Sequence, residues 1–266
     1  LPDVRRARFR QERGEVVLQA VCVKQVADTE TRVKVGADGK TLDPAGVTWI
    51  LNPYDEFALE QALRIREKSG SGEVVAVSLG GAAVQTTLRN ALAMGADRAV
   101  HLKVEGAPPD SLAVAKALAA ELAALSPGLV WFGKQAVDDD AAQVGPMVAT
   151  LMGLPCVTVV AAMELNGESA TVEREIEGGR EVVEVTLPAV LAAEKGLNEP
   201  RYASLKGIMA AKKKTIDEKP AALGEPNLEV VALKLPAARG AGKVVGQGRD
   251  AVDELVRLLR EEAKVI

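Results

Sequence analysis

Residues 16–24, VVLQAVCVK, run almost without interruption through apolar side chains, the pattern of a strand buried on both faces of a parallel sheet. Residues 33–42 read as a loop or short hairpin turning at Gly36 and Asp38-Gly39. The spacing then becomes helical: Ala58, Leu59, Ala62, Leu63 and Ile65 form one apolar stripe. Asn52 is placed to cap this helix, Pro53 stands at its first position, and Asp55 and Glu56 occupy the first turn, where carboxylates favour the helix dipole. Gly70 marks its end. A strand at 73–79, a helix at 84–94, a strand at 98–104, a helix at 111–125, a strand at 129–133 and a helix at 141–151 continue the series. Strands alternating with helices of about 10–15 residues predict βαβ crossovers and a parallel sheet.

Beyond this point three strands follow, at 157–165, 171–176 and 182–187, the last two joined by Glu177, Gly178, Gly179 and Arg180. Glycines that accept positive φ suit a hairpin turn, so an antiparallel addition is expected on the parallel core. Residues 195–226 are punctuated by proline, glycine and lysine around a short helical patch, and an amphipathic helix at 250–263 closes the chain. A long segment with so little periodic apolar sequence wraps another chain or domain. The expected organisation is a flexible extension (1–15), an α/β core (16–194) and an extended C-terminal arm (195–266).

Composition narrows the function classes. The 266 residues are 48% hydrophobic and 26% charged, globular proportions that exclude a disordered chain, while aromatics at 3% leave the core to Ala, Val and Leu. A net charge of −4 provides no global cationic field, so neither nucleic acid nor an anionic membrane is an expected partner. No apolar run approaches the roughly 18 residues of a membrane span. The first fifteen residues carry five arginines and no apolar h-region, unlike a secretory signal. Cys22 and Cys156 lack a CxxC partner and read as inert core thiols. The single His101, on a strand, reads as structural and leaves little support for metal or triad chemistry.

The strongest candidate site is the turn GKQAVDDDAAQVGP, leaving a predicted parallel strand and entering a helix. Ligands of open α/β sheets bind at such carboxyl ends, and the free N–H groups at the helix start, near residues 141–144, suit a phosphate. Asp138, Asp139 and Asp140 would repel that phosphate unless they cap the helix or face sugar and base donors. The alternatives are a capped helix with a solvated acidic turn, or a Mg²⁺ site, although Mg²⁺ normally uses phosphate and water besides one or two carboxylates. Ser78-Leu79-Gly80-Gly81 is a weaker second strand end. Walker A and GxGxxG motifs are absent. Leu197 in the polar loop Leu197-Asn198-Glu199-Pro200-Arg201-Tyr202, followed by Lys206 and Lys212-Lys213-Lys214, reads either as a solvated segment or as a partner anchor.

In chain order, VKQVADTETRVKV, LNPYDEFALEQAL, ALAMGADRAVHL, GKQAVDDDAAQVG, VEREIEGG and LNEPRYASLKGIMAAKKK resemble the β subunit of electron transfer flavoprotein. The resemblance implies an electron carrier rather than an enzyme, with an adenine-nucleotide-binding, alpha-hydrolase-like α/β core. Its implied partners are an α subunit holding the redox-active FAD, acyl-CoA dehydrogenases as donors and a quinone oxidoreductase as acceptor. It also implies a structural AMP bound by Cys22, Asn52, Pro53, Tyr54, Asp55 and Leu79 together with Gly133, Lys134, Gln135, Ala136, Val137, Asp138, Asp139, Asp140, Ala141, Ala142, Gln143 and Val144. Leu197, Asn198, Glu199, Pro200, Arg201 and Tyr202 would form the donor-docking loop, with Leu197 as anchor, and Tyr54 would approach the flavin. The implied location is a bacterial cytoplasm or a mitochondrial matrix. Two alternatives stay open: an electron-bifurcating relative with a second FAD in place of AMP and reactivity with NADH, or a stand-alone adenine-nucleotide-binding enzyme.

Overall fold

A computed structural model describes residues 18–105, 110–238 and 240–266. The expected extension at 1–15 and the first two residues of the predicted opening strand lie outside the described residues. The chain divides into two units, one ending at Ala232 and the other Leu233–Ile266.

The first unit is built on nine strands in the order β11-β5-β4-β1-β6-β10-β7-β8-β9. They are β1 Leu18–Cys22, β4 Glu73–Gly80, β5 Arg98–Lys103, β6 Leu129–Gly133, β7 Cys156–Asn166, β8 Ser169–Ile176, β9 Gly179–Thr186, β10 Ala189–Ala193 and β11 Ile216–Pro220. A separate antiparallel pair, β2 Gln25–Ala27 and β3 Trp49–Leu51, precedes the first helix. All pairings from β11 through β7 are parallel, and β8 and β9 extend the sheet as an antiparallel hairpin. The α/β class and the antiparallel addition expected from the sequence are therefore present.

Helices cover both faces of the parallel part. On one side α1 Pro53–Ser69 and α2 Val84–Met94 bury Leu59, Leu63, Leu88 and Leu92 against Val21, Ala76 and Trp131. On the other, α3 Ser111–Leu125 and α4 Val144–Met152 place Leu118, Leu122 and Val148 against Ala20, Val75 and Val130. Each fully buried leucine contributes about 1.5–3 kcal/mol of transfer free energy. Asp110 caps α3 by accepting from the Ala113 N–H at 2.7 Å, and Gly70 closes α1 in the left-handed region.

Three features depart from the pattern read in the sequence. β10 fills the gap between β6 and β7, although its Ala-rich run had no strand signal. β11 joins the edge of the sheet beside β5, where Pro220 is tolerated, so the residues just after 195 belong to the first unit. The helix expected at 141–151 begins only at Val144, because Asp140 and Ala142 adopt positive φ outside the helical region. Within the 195–232 stretch the helical patch is α5 Leu205–Ala211, capped by Ser204 and packed on α2. The second unit contains α6 Val252–Glu261, entered through a 3₁₀ turn at Arg249–Ala251, and none of its described residues is buried.

Candidate functional site

From β1 the chain builds β4 and β5 on one side and then returns to place β6 on the other, so the strand order reverses between β1 and β6. The crevice outside the carboxyl ends of two such strands is where open α/β sheets take ligands. The start of α1 seals this crevice from below. Asp55 is buried there, its two oxygens accepting the N–H of Lys24 at 2.7 Å and of Gly133 at 2.9 Å. Burial pushes its carboxyl up to about 7, while the hydrogen bonds from those N–H groups act in the opposite sense.

Asn52 stands at the helix N-cap but does not cap. Its Nδ2 donates to the Gln135 carbonyl at 2.9 Å and its Oδ1 accepts the Val137 N–H at 3.1 Å. The sequence expectation of a side-chain cap is therefore replaced by a cross-link between α1 and the turn after β6. Lys24, absent from the sequence-derived site, reaches over the same turn and bonds Asp138 at 2.8 Å and Asp139 at 3.0 Å. Burial works against its ammonium, but hydrogen bonds and charge from the two aspartates outweigh this and raise it. A lysine closing the apolar run 16–24, beside the switch point, was the available signal.

The three aspartates do not cap α4, and no cluster of three or more His, Cys, Asp or Glu side chains placed to hold a metal ion exists among the described residues. Asp140 accepts from Gln135 Nε2 at 2.6 Å, and Asp139 accepts the Ala141 N–H at 3.1 Å. The Ala141 N–H, expected to be free, is thus used. The N–H groups of Ala142, Gln143, Val144 and Gly145 have no acceptor among the described residues. Positive φ at Asp140 and Ala142 folds the turn into the alternating geometry that turns successive N–H groups toward an anion. With the carboxylates held by Lys24 and Gln135, this donor set fits a phosphate. A cavity of 310 Å³ lined by Leu112, Gln143 and Met147 adjoins the turn.

Cys22 ends β1 buried in the α3/α4-side core, and burial pushes its thiol far above the ordinary range. Leu79 packs half-buried in the same layer. Pro53 and Tyr54 open α1 half-buried, and the Lys134 ammonium sits 5.3 Å from the centre of the Tyr54 ring while pairing with Glu194 at 2.6 Å. Ala136 and Val137 are also half-buried. His101 is fully buried with Nε2 2.9 Å from the Gly80 carbonyl, consistent with its structural reading. Cys156 corrects its reading as a core thiol: it is exposed, since an apolar run marks a strand without fixing which part of it helices cover.

The 197–202 loop is fastened to α1. Leu197 is not exposed at a tip; it is half-buried and packs on the α1/α2-side core. Asn198 Nδ2 donates to the Phe57 carbonyl at 2.9 Å and to Gln61 at 3.2 Å. The Glu199 carbonyl accepts from Arg64 at 3.0 Å, and Pro200 is half-buried. Arg201 clamps two α1 carboxylates, the buried Glu60 at 2.7 Å and Glu67 at 2.5 Å. These partners hold its guanidinium well above the usual arginine range. Tyr202, in contrast, is 98% exposed. One helix thus positions the turn after β6 with its first residues and the 197–202 loop with its later ones.

The chain matches the electron transfer flavoprotein domain family over residues 40–224. It is 40% identical over 259 residues to the electron transfer flavoprotein subunit beta of Bacillus subtilis (strain 168), covering 92% of this chain and 98% of that protein. It is 44% identical over 253 residues to the mitochondrial subunit beta of Oryza sativa subsp. japonica, with 92% and 98% covered. The human subunit beta is 41% identical over 252 residues, with 92% and 97% covered. The chain belongs to the electron transfer flavoprotein β-subunit family. It is accordingly an electron-transport subunit, and a β subunit implies an α-subunit partner. No helix among the described residues is long and apolar enough to cross a membrane.

Proposed function

We propose that this chain binds a structural AMP at the turn 133–144 and, with an α subunit holding most of the FAD contacts, carries electrons from acyl-CoA dehydrogenases to a quinone oxidoreductase. The observation that carries the nucleotide assignment is the set of N–H groups at 142–145 without an acceptor among the described residues, at the switch point between β1 and β6. In this reading Asp55 and Asn52 hold the turn in shape, Lys24 neutralises Asp138 and Asp139, and the start of α4 receives the phosphate. Gly133, Tyr54 and Pro53 wall the crevice. FAD supplies the redox chemistry when bound; this chain contributes binding and orientation and turns over no substrate.

The 197–202 segment is the donor-docking loop in this account. Its clamp by Arg201 and Asn198 removes conformational freedom before docking, which lowers the entropy cost of association. The half-buried Leu197 anchors the segment and offers its remaining surface to the donor. The Leu233–Ile266 unit, with exposed Leu235, Val252 and Leu255 and no buried residue among those described, is the arm that grips the α subunit. Expressed alone, the chain should be flavin-free and aggregate. Either a bacterial cytoplasm or a mitochondrial matrix suits such a carrier. Extraction of the purified heterodimer under denaturing conditions tests the cofactor division: one AMP and one FAD are expected. Two FAD and no AMP would assign the chain to electron-bifurcating relatives instead.

A further inference from the structure

A cavity of 390 Å³ opens between the first half of α1, the end of α2 and the 200–208 segment. Its walls are largely apolar, from Pro53 and Phe57 of α1, Ala93 and Met94 of α2, and Pro200 and Ile208. Glu56 lines the same space, half-buried. Its carboxylate has neither a hydrogen bond nor an ion pair among the described residues. Arg201 also lines the cavity, but its guanidinium is committed to Glu60 and Glu67. Burial alone pushes the Glu56 carboxyl up, with no opposing charge to bring it back.

We infer that this cavity receives a lysine or arginine side chain of the electron-donating flavoprotein, with Glu56 as its counter-ion. The inference rests on the docking role proposed for the 197–202 loop and specifies the chemistry of the partner there. A half-buried acid without a cation costs free energy that an incoming cation recovers. Apolar walls around it match the aliphatic stem that such a side chain lays along a surface while its charged head finds a partner. The mouth of the cavity extends this complementarity. Tyr202, Leu205 and Met209 are 98%, 83% and 69% exposed, an apolar rim on the segment that borders the pocket, and tyrosine is among the residues that dominate docking energy. The rim is rigid: α5 presses on α2 so closely that a Cβ at Gly207 would collide with the Ala93 carbonyl oxygen. Arg89 also bonds the Ala211 and Lys214 carbonyls at 2.6 and 2.7 Å. The surface therefore stands formed before the partner arrives.

The test uses the purified α/β heterodimer and an acyl-CoA dehydrogenase, with affinity measured at low and moderate ionic strength for wild type, Glu56→Gln, Glu56→Lys and Leu197→Ala. Glu56→Gln keeps the shape and removes the charge, and should weaken binding by about tenfold or more and flatten its salt dependence. Glu56→Lys should weaken it further. Nucleotide and flavin content should stay at wild-type values in both, and melting temperature should change by no more than the small dipole contribution of a first-turn carboxylate, too little to account for the loss of binding. If both Glu56 variants bind as wild type while Leu197→Ala binds more weakly, the inference fails and the docking role of the loop stands. If none of the three weakens binding, the docking role itself fails. A Glu56→Gln protein that loses folding stability in step with binding would assign Glu56 to the fold and overturn the inference, as would self-association of the wild-type heterodimer through this face that Glu56→Lys abolishes.

Discussion

Gly133 leaves no room for a side chain beside Asp55: a Cβ there would lie 2.5 Å from Asp55 Oδ1 and 2.7 Å from the Tyr54 carbonyl carbon. The last residue of β6 and the first turn of α1 are thus in backbone contact at the point where the sheet opens. Gly133→Ala must push α1 away or displace the turn. The expected cost is roughly 1–3 kcal/mol, the range for overpacking. Melting temperature should fall, and the nucleotide recovered from the heterodimer should fall with it; an unchanged protein would show that this contact does not shape the turn.

Asp55 carries a pH signature. Its carboxyl is raised to about 7 by burial, against about 4 in an unfolded chain. The folded state therefore holds the extra proton between these values, so this contribution to stability is complete below about pH 4 and lost as pH rises through 7. Asp55→Asn removes the titration and leaves one of the two N–H groups facing an amide NH₂, at a cost of about 1–3 kcal/mol. Thermal melts from about pH 5 to pH 8 should show the gap between wild type and variant narrowing as pH rises. A widening gap would mean that the hydrogen bonds from Lys24 and Gly133 outweigh burial.

Asn52→Ala separates capping from cross-linking. A lost cap would shorten α1. Loss of the bonds to Gln135 and Val137 instead loosens the turn, costing about 1–2 kcal/mol in total. Nucleotide affinity should drop while the far-ultraviolet circular dichroism stays the same. A loss of helix signal with undiminished nucleotide binding would restore the capping role.

Much of this architecture was legible because helices and doubly buried strands write strong periodic signals. α1, α2 and α3 fall on their predicted spans, since Asn52-Pro53, Gly70 and the Leu and Ala stripes act locally. β10 was not legible: Ala189, Val190, Leu191, Ala192 and Ala193 are all buried, but an alanine-rich run has no period and low strand propensity, and only the slot between β6 and β7 makes it a strand. The polar sequence of β11 is stranded by the unpaired edge of β5. At the candidate site, the position of the turn at the end of β6 could be read, while the partners of its aspartates could not. Lys24 lies 114 residues from Asp138 in the chain, and long-range pairs of this kind leave no local pattern.

The loop yields a prediction that separates two roles of one residue. Leu197 packs against the core and anchors the proposed docking loop. Leu197→Ala should weaken the donor interaction by about 2 kcal/mol and lower stability by less, since a half-buried leucine forfeits only part of the usual cavity cost. Arg201→Ala should cost about 1–3 kcal/mol of stability; Arg64 still pairs with Glu60, and Arg201 is partly exposed, so the full penalty of a broken buried pair does not apply. Reduction rates against dehydrogenase concentration, beside melting temperatures, check both. Lost stability with unaltered donor kinetics would remove the loop from docking.

The central claim is that the turn between β6 and α4 holds AMP while the flavin belongs mainly to the α subunit. Purified heterodimer, denatured and resolved by nucleotide chromatography with absorbance standards, should release AMP and FAD in equal amounts, and Gly133→Ala should lose AMP first. Release of two FAD per heterodimer and no AMP would contradict the account.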